Sequence, residues 1–150
     1  MANPGHLGIL EKGVPSWNEW RRQNPAVIPD LRGADLSRLE LSYANFSGAL
    51  LSKAAFWKSD CRFTDFREAD LSNASMEDCR IENADFSSAN MENADLSGAL
   101  KERANFSDTC FDRKVKVRKE GFLNKADWIL IVFAAITVFL IGFIVIKTLN

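Results

Sequence analysis

Histidine is all but missing: His6 is the only one in 150 residues. With no second histidine, no CxxC pair and no nucleophile elbow, zinc-site and triad chemistries have no residues to work with. The three cysteines, Cys61, Cys79 and Cys110, are odd in number and scattered, which fits small reduced thiols better than a disulfide framework. No glycine-rich phosphate loop occurs. No charged segment followed by an apolar run opens the chain, so no signal peptide is expected. Neither a cofactor nor an enzymatic activity is expected. β-Branched aliphatics are scarce as well: residues 29–113 hold no valine and one isoleucine, Ile81. Strand propensity therefore gives no sheet in this stretch.

A basic field is also lacking. The formal net charge is −1, so nucleic acid is not an expected partner. The average conceals a segregation. Residues 29–112 carry a net charge of −7, and residues 113–150 carry +5.

What the chain does have is a period of five. From Ala84 it reads ADFSS, ANMEN, ADLSG, a spacing that suits neither the helix nor the strand. The register holds from Pro29 to Arg113 in seventeen pentapeptides, and sixteen have an apolar centre. Two residues before the centre stands Ala, or less often Ser, Thr, Cys, Leu or Pro. A second period of twenty lies on top, since Phe46, Phe66, Phe86 and Phe106 recur in YANFSG, FTDFRE, NADFSS and RANFSD. Twenty residues make a coil of four five-residue sides. Stacked coils would place the four phenylalanines in one interior ladder and pair backbones as parallel strands about 4.8 Å apart. Asp or Asn between the two inward positions would point outward for solubility, and Ser, Asn and Gly would turn the corners.

The run GADLS, YANFSG, EADLS, NADFS and NADLSGA resembles the pentapeptide-repeat family over residues 29–113. The resemblance implies an all-β fold, a right-handed quadrilateral parallel β-helix. A solenoid exposes core and edge at its ends, so caps are expected. Residues 1–28 read as an N-terminal helical cap: a short helix over Leu7 to Lys12 ending at Gly13, then a second helix to Gln23. SWNE, Ser16 to Glu19, reads as the capping box of that second helix. Leu7, Leu10, Trp17 and Trp20 would cover the first coil. HLGILEKGVPSWNEWRRQNP also resembles the leader that precedes the repeats in many bacterial members.

The C-terminal region reads differently. Residues 114–127 form a basic juxtamembrane linker, and residues 128–147 a transmembrane helix built on WILIVFAAITVFLIGFIVI, nineteen residues without a charge. Lys114, Lys116, Arg118, Lys119 and Lys125 would lie against anionic headgroups. The cationic flank places the solenoid on the cytoplasmic side of a bacterial inner membrane, in a single pass. Ala135 and Gly142 offer a weak close-packing seam within the helix.

Candidate interface residues are those that break the repeat. Leu50, Trp57 and Phe63 are apolar at outward positions of the second coil, and Tyr43 lies one coil below Phe63. Lys101 is a charge at a core position and, with Phe111, marks the open C-terminal edge. The first expectation is a membrane-anchored module that self-associates or binds a protein partner. The second is a membrane-disrupting effector of an anti-phage system, triggered by an upstream sensor. The third, implied by the resemblance, is a DNA mimic acting on gyrase, for which mixed charge is a poor fit.

Overall fold

The structure is a computed structural model and describes residues 1–111. Two short helices, α1 (Pro4–Leu10) and α2 (Val14–Gln23), precede the repeat. From there the backbone pairs with itself at a fixed distance. Every β-bridge is parallel and joins residues twenty apart, from Asp30↔Leu50 to Asn90↔Cys110. The chain therefore completes a four-sided coil every twenty residues. Named by their centres, the first side holds Leu31, Leu51, Leu71 and Met91, and the second Leu36, Phe56, Met76 and Leu96. The third side holds Leu41, Cys61, Ile81 and Lys101, and the fourth Phe46, Phe66, Phe86 and Phe106.

Each side contributes one bridging residue rather than a continuous strand. The corners lie too close together for more. Two ladder hydrogen bonds still flank each bridge, as in Leu36 N–H to Ala55 O at 2.7 Å and Ala55 N–H to Ala34 O at 2.9 Å.

The corners show what the five-residue period is for. The centre's carbonyl accepts from the amide three residues on, as Leu31 O does from Ala34 at 3.0 Å. The second corner residue is left-handed, at φ 67° in Gly33, 57° in Phe63 and 59° in Asn83. Positive φ at that position alone makes a type II turn. Thirteen non-glycine residues adopt it, including Arg38, Tyr43, Lys53 and Phe63, so the corners are less selective than the expected Ser, Asn and Gly. The outward Asp and Asn help to set them. Asp65 Oδ1 accepts from the Arg67 amide at 3.0 Å, and the same bond recurs at Asp35, Asn45, Asp85 and Asn105. These side chains close Asx turns as well as facing solvent.

Inside, the centres from Leu31 to Leu96 are at most 2% exposed. Burial of each large side chain stabilises the rod by about 1.5–3 kcal/mol. The alanines fill the narrow slots beside them. Phe46, Phe66 and Phe86 are fully buried, with ring centroids 5.5 and 4.8 Å apart, and Phe106 stacks on Phe86 at 5.0 Å. Phe106 is only partly buried because it lies in the last coil. Where the small slot carries a hydroxyl, Ser59 and Thr64 are buried and donate to Leu36 O and Leu41 O at 2.6 and 2.9 Å.

The N-terminal helices cap the first coil. Trp17 is buried, packs on Phe46 at 5.4 Å, and donates its indole N–H to Asn45 O at 2.8 Å. Asn18 acts as a false strand rung: its amide donates to Tyr43 O and accepts from the Asn45 N–H, both at 2.9 Å. Arg21 donates to Val27 O and Ser47 O, and His6 Nδ1 accepts the Asp30 amide at 3.0 Å. Leu10 is buried; Leu7 and Trp20 pack beside it, partly buried.

The helix boundaries differ from the sequence reading. α1 begins at Pro4 under an Asn3 cap. α2 begins at Val14, with Gly13 at the cap position and no side-chain cap bond. Pro15 suits the first turn of a helix, so the start moves upstream and Ser16 falls inside. Its hydroxyl bonds back to Lys12 O, and Glu19 pairs with Arg22 and Gln23 instead of closing a capping box.

Candidate interaction surface

Most of the outer surface consists of short polar side chains locked into corners. The third side departs from that rule. Its outward rungs are Glu40, Asp60, Arg80 and Leu100, stacked in that order by successive bridges. Leu39 occupies a slot that elsewhere holds a small inward residue. Leucine does not fit there, and it is 40% exposed. Leu100 replaces the usual polar residue and is 42% exposed.

On the corner between the third and fourth sides, Tyr43 and Phe63 stack face to face, centroids 4.9 Å apart and planes within 2°. Both remain open to solvent, at 63% and 46%. On the opposite corner, Trp57 is partly buried under two cations, with Arg38 at 4.5 Å and Lys58 at 4.6 Å from its ring.

Between the corners lies an ion network. Asp60 is buried and accepts from Arg62 and from the Ser42 hydroxyl at 2.7 Å, with Arg80 at 3.6 Å. The Arg62 hydrogen bond holds the Asp60 carboxyl well below the usual carboxylate range, against the opposing effect of burial. Arg80 also reaches Glu82 at 3.5 Å. The side thus carries fixed charges of both signs within an apolar frame.

Not every candidate from the sequence joins this surface. Leu50 lies on the first side, partly buried between Asp30 and Asp70. Tyr43, Phe63 and Trp57 border the third side. Lys101 is partly buried at its centre position, and Phe111, 40% exposed, packs against Phe106 at 5.8 Å at the open end. The cationic residues from Lys114 to Lys125, the apolar run, Ala135 and Gly142 lie outside the described residues. Among the described residues, no helix is long and apolar enough to cross a membrane, and no group of three or more His, Cys, Asp or Glu is placed to hold a metal ion. Leu39 and Leu100 were not singled out from the sequence. Their signal was there: each breaks the residue rule of its position in the pentapeptide.

The family model for pentapeptide repeats, in 8 copies, matches residues 30–60, 44–87, 64–100 and 82–113. The chain belongs to the pentapeptide-repeat family. Proteins of this family fold as right-handed quadrilateral β-helices and are generally non-enzymatic structural or interaction modules. Among solved structures, the chain is similar to the pentapeptide repeat protein Rfr23 from the cyanobacterium Cyanothece 51142, at 27% identity over 54% of this chain and 62% of that one, TM-score 0.40. It is also similar to a pentapeptide repeat protein from Nostoc PCC 7120, at 24% identity over 66% of this chain and 95% of that one, TM-score 0.34. A third, from the Arabidopsis thaliana thylakoid lumen, shares 24% identity over 60% of this chain and 72% of that one, TM-score 0.33. The chain spans about three fifths of the length of Rfr23 (62%). No curated protein matches it.

Proposed function

We propose that this pentapeptide-repeat protein is a non-enzymatic binding module, held at the cytoplasmic face of a membrane, that associates through the third side of its rod. One observation carries the reading: Leu39, Tyr43, Phe63 and Leu100 are all at least 40% exposed and border one side of the rod. Exposed apolar groups gathered in this way, framed by charge, mark interaction surfaces. Membrane attachment rests on the uncharged run from Trp128 to Ile146 and the cations before it.

The test uses the full-length protein in mild detergent. Its mass should exceed that of one chain as concentration rises, and Tyr43→Ala with Phe63→Ala should shift it back toward one chain without loss of fold. A single chain that binds no partner and is unaffected by these changes would refute the surface. Attachment is tested separately. The protein should resist alkaline extraction from membranes, and a reporter active only in the periplasm should be active when fused after Asn150.

The effector reading draws on the same run. If clustered rods gather membrane helices, overexpression should arrest growth, and deletion of residues 128–150 should relieve the arrest.

A further inference from the structure

We infer that the partner of the third side is a second copy of this chain, docked antiparallel about a two-fold axis. The inference rests on the interaction surface proposed above and names its occupant.

The argument follows from the order of the rungs. A two-fold axis lying across the third side, midway between the second and third coils, sets coil one against coil four and coil two against coil three. Leu39 then faces Ala99 of the second copy, with Leu100 one position along, and Glu40 lies opposite Leu100. Asp60 faces Arg80. On one corner Lys58 faces Glu77 and Asp78. On the other, Arg62 faces Glu82, and the Tyr43 ring, 63% exposed, faces Arg103. Each contact occurs twice, as an isologous interface requires. Arg62 and Arg80 already pair within their own rod, yet their side chains keep 37% and 46% exposure. They can therefore serve both copies.

The parallel alternative fails on charge. An axis along the rod sets each coil against itself, so Arg80 meets Arg80, Lys58 meets Arg62, and Glu77 meets Glu82. Like charges opposed in this way are penalised. The antiparallel order removes the Arg80 clash and turns both corner clashes into attractions, Lys58 with Glu77 and Arg62 with Glu82.

The side is small. Four coils at about 4.8 Å give a height of roughly 20 Å, and three extended residues with flanking corner side chains give a similar width. Roughly 400 Å² per copy, or about 800 Å² for the pair, lies below the ~1,200 Å² total of a stable interface. The contact belongs to the transient class, and confinement of the rods to one membrane surface would raise its occupancy.

Two experiments on the full-length protein decide the matter. In a Cys110→Ser background, Leu39→Cys and Leu100→Cys variants are mixed and mildly oxidised with diamide, which accepts the two electrons and two protons released as the two thiols form a disulfide. Antiparallel docking predicts a mixed disulfide between the two variants and little linkage of either variant to itself. The second experiment reverses charges. Lys58→Glu or Glu77→Lys alone should weaken association by about tenfold, and the two together should restore it. An oligomer that links Leu39→Cys to itself, or shows no rescue, overturns this geometry and leaves self-association standing. A protein that stays a single chain at all concentrations overturns both.

Discussion

Phe66 lies in the middle of the rod's aromatic ladder. Its ring is fully buried, stacked at 5.5 Å on Phe46 and 4.8 Å on Phe86, with Phe56 edge-on at 5.8 Å. Phe66→Ala would remove three aromatic contacts, each worth about 0.5–1.5 kcal/mol beyond area. It would also leave a cavity that cannot collapse, because the backbone is pinned above by Phe66 N–H to Asp85 O at 2.8 Å and at the corner by Ala69 N–H to Phe66 O at 3.1 Å. The loss should reach the upper part of the ~3–5 kcal/mol range for large aromatics. Phe63, three residues away, gives the control. It shares one stack with Tyr43 and is 46% exposed, so Phe63→Ala should cost less than about 1.5 kcal/mol. Denaturant unfolding of full-length variants, followed by circular dichroism, measures both. Because each coil touches only its neighbours, Phe66→Ala should also uncouple the first two coils from the last two and broaden the transition. Equal losses at the two positions, or a loss below about 1 kcal/mol at Phe66, would refute the interior register.

Three further outcomes are expected. Asn18→Ala should cost about 1–2 kcal/mol and promote aggregation, since two edge groups of the first coil lose their partner; light scattering against stability checks this. Acid should weaken the rod. The carboxyls of Asp60 and Asp30 (the latter brought down to about 2 by Arg32) lie below their unfolded values, so their contribution is full above about pH 4 and is lost as pH falls through the folded values. Asp60→Asn should flatten that acid limb, read from unfolding midpoints between pH 2 and 6. Gly48→Ala should cost about 1–2 kcal/mol from its φ of 63° alone, and Gly98→Ala a similar amount, because the Asp78 carboxylate its added carbon meets ends an exposed side chain that can turn aside.

The coil was legible because two periods coincide. Five gave the side and twenty gave the stack, and Phe46, Phe66 and Phe86 marked the ladder without any help from strand propensity. Leu7, Leu10, Trp17 and Trp20 were legible as cap because they are large apolar residues in two short helical stretches directly before a coil that needs covering. The start of α2 was misplaced because SWNE has the right residues for a capping box while Pro15, one position before Ser16, extends the helix past them. The role of Asp and Asn was legible only in part. A carboxylate that closes an Asx turn and one that merely meets water look alike in sequence. The third side was the least legible part. Leu39 and Leu100 lie 61 positions apart, and they share a side only once the repeat is wound.

The fixed twenty-residue repeat of the bridges also limits how such a chain can change length. Removing a full coil shortens the rod by about 4.8 Å and leaves each side aligned. Removing one pentapeptide turns everything beyond it by a quarter. Without residues 69–73, for example, Phe66 would stack beneath Met91 in place of Phe86. The interior would accept this, since one large apolar group replaces another. The exterior would not: Leu100 would leave the side that carries Leu39, and Arg80 the side that carries Asp60. Duplication and loss of five residues can therefore shuffle what the rod displays while its interior stays filled, and only steps of twenty preserve both.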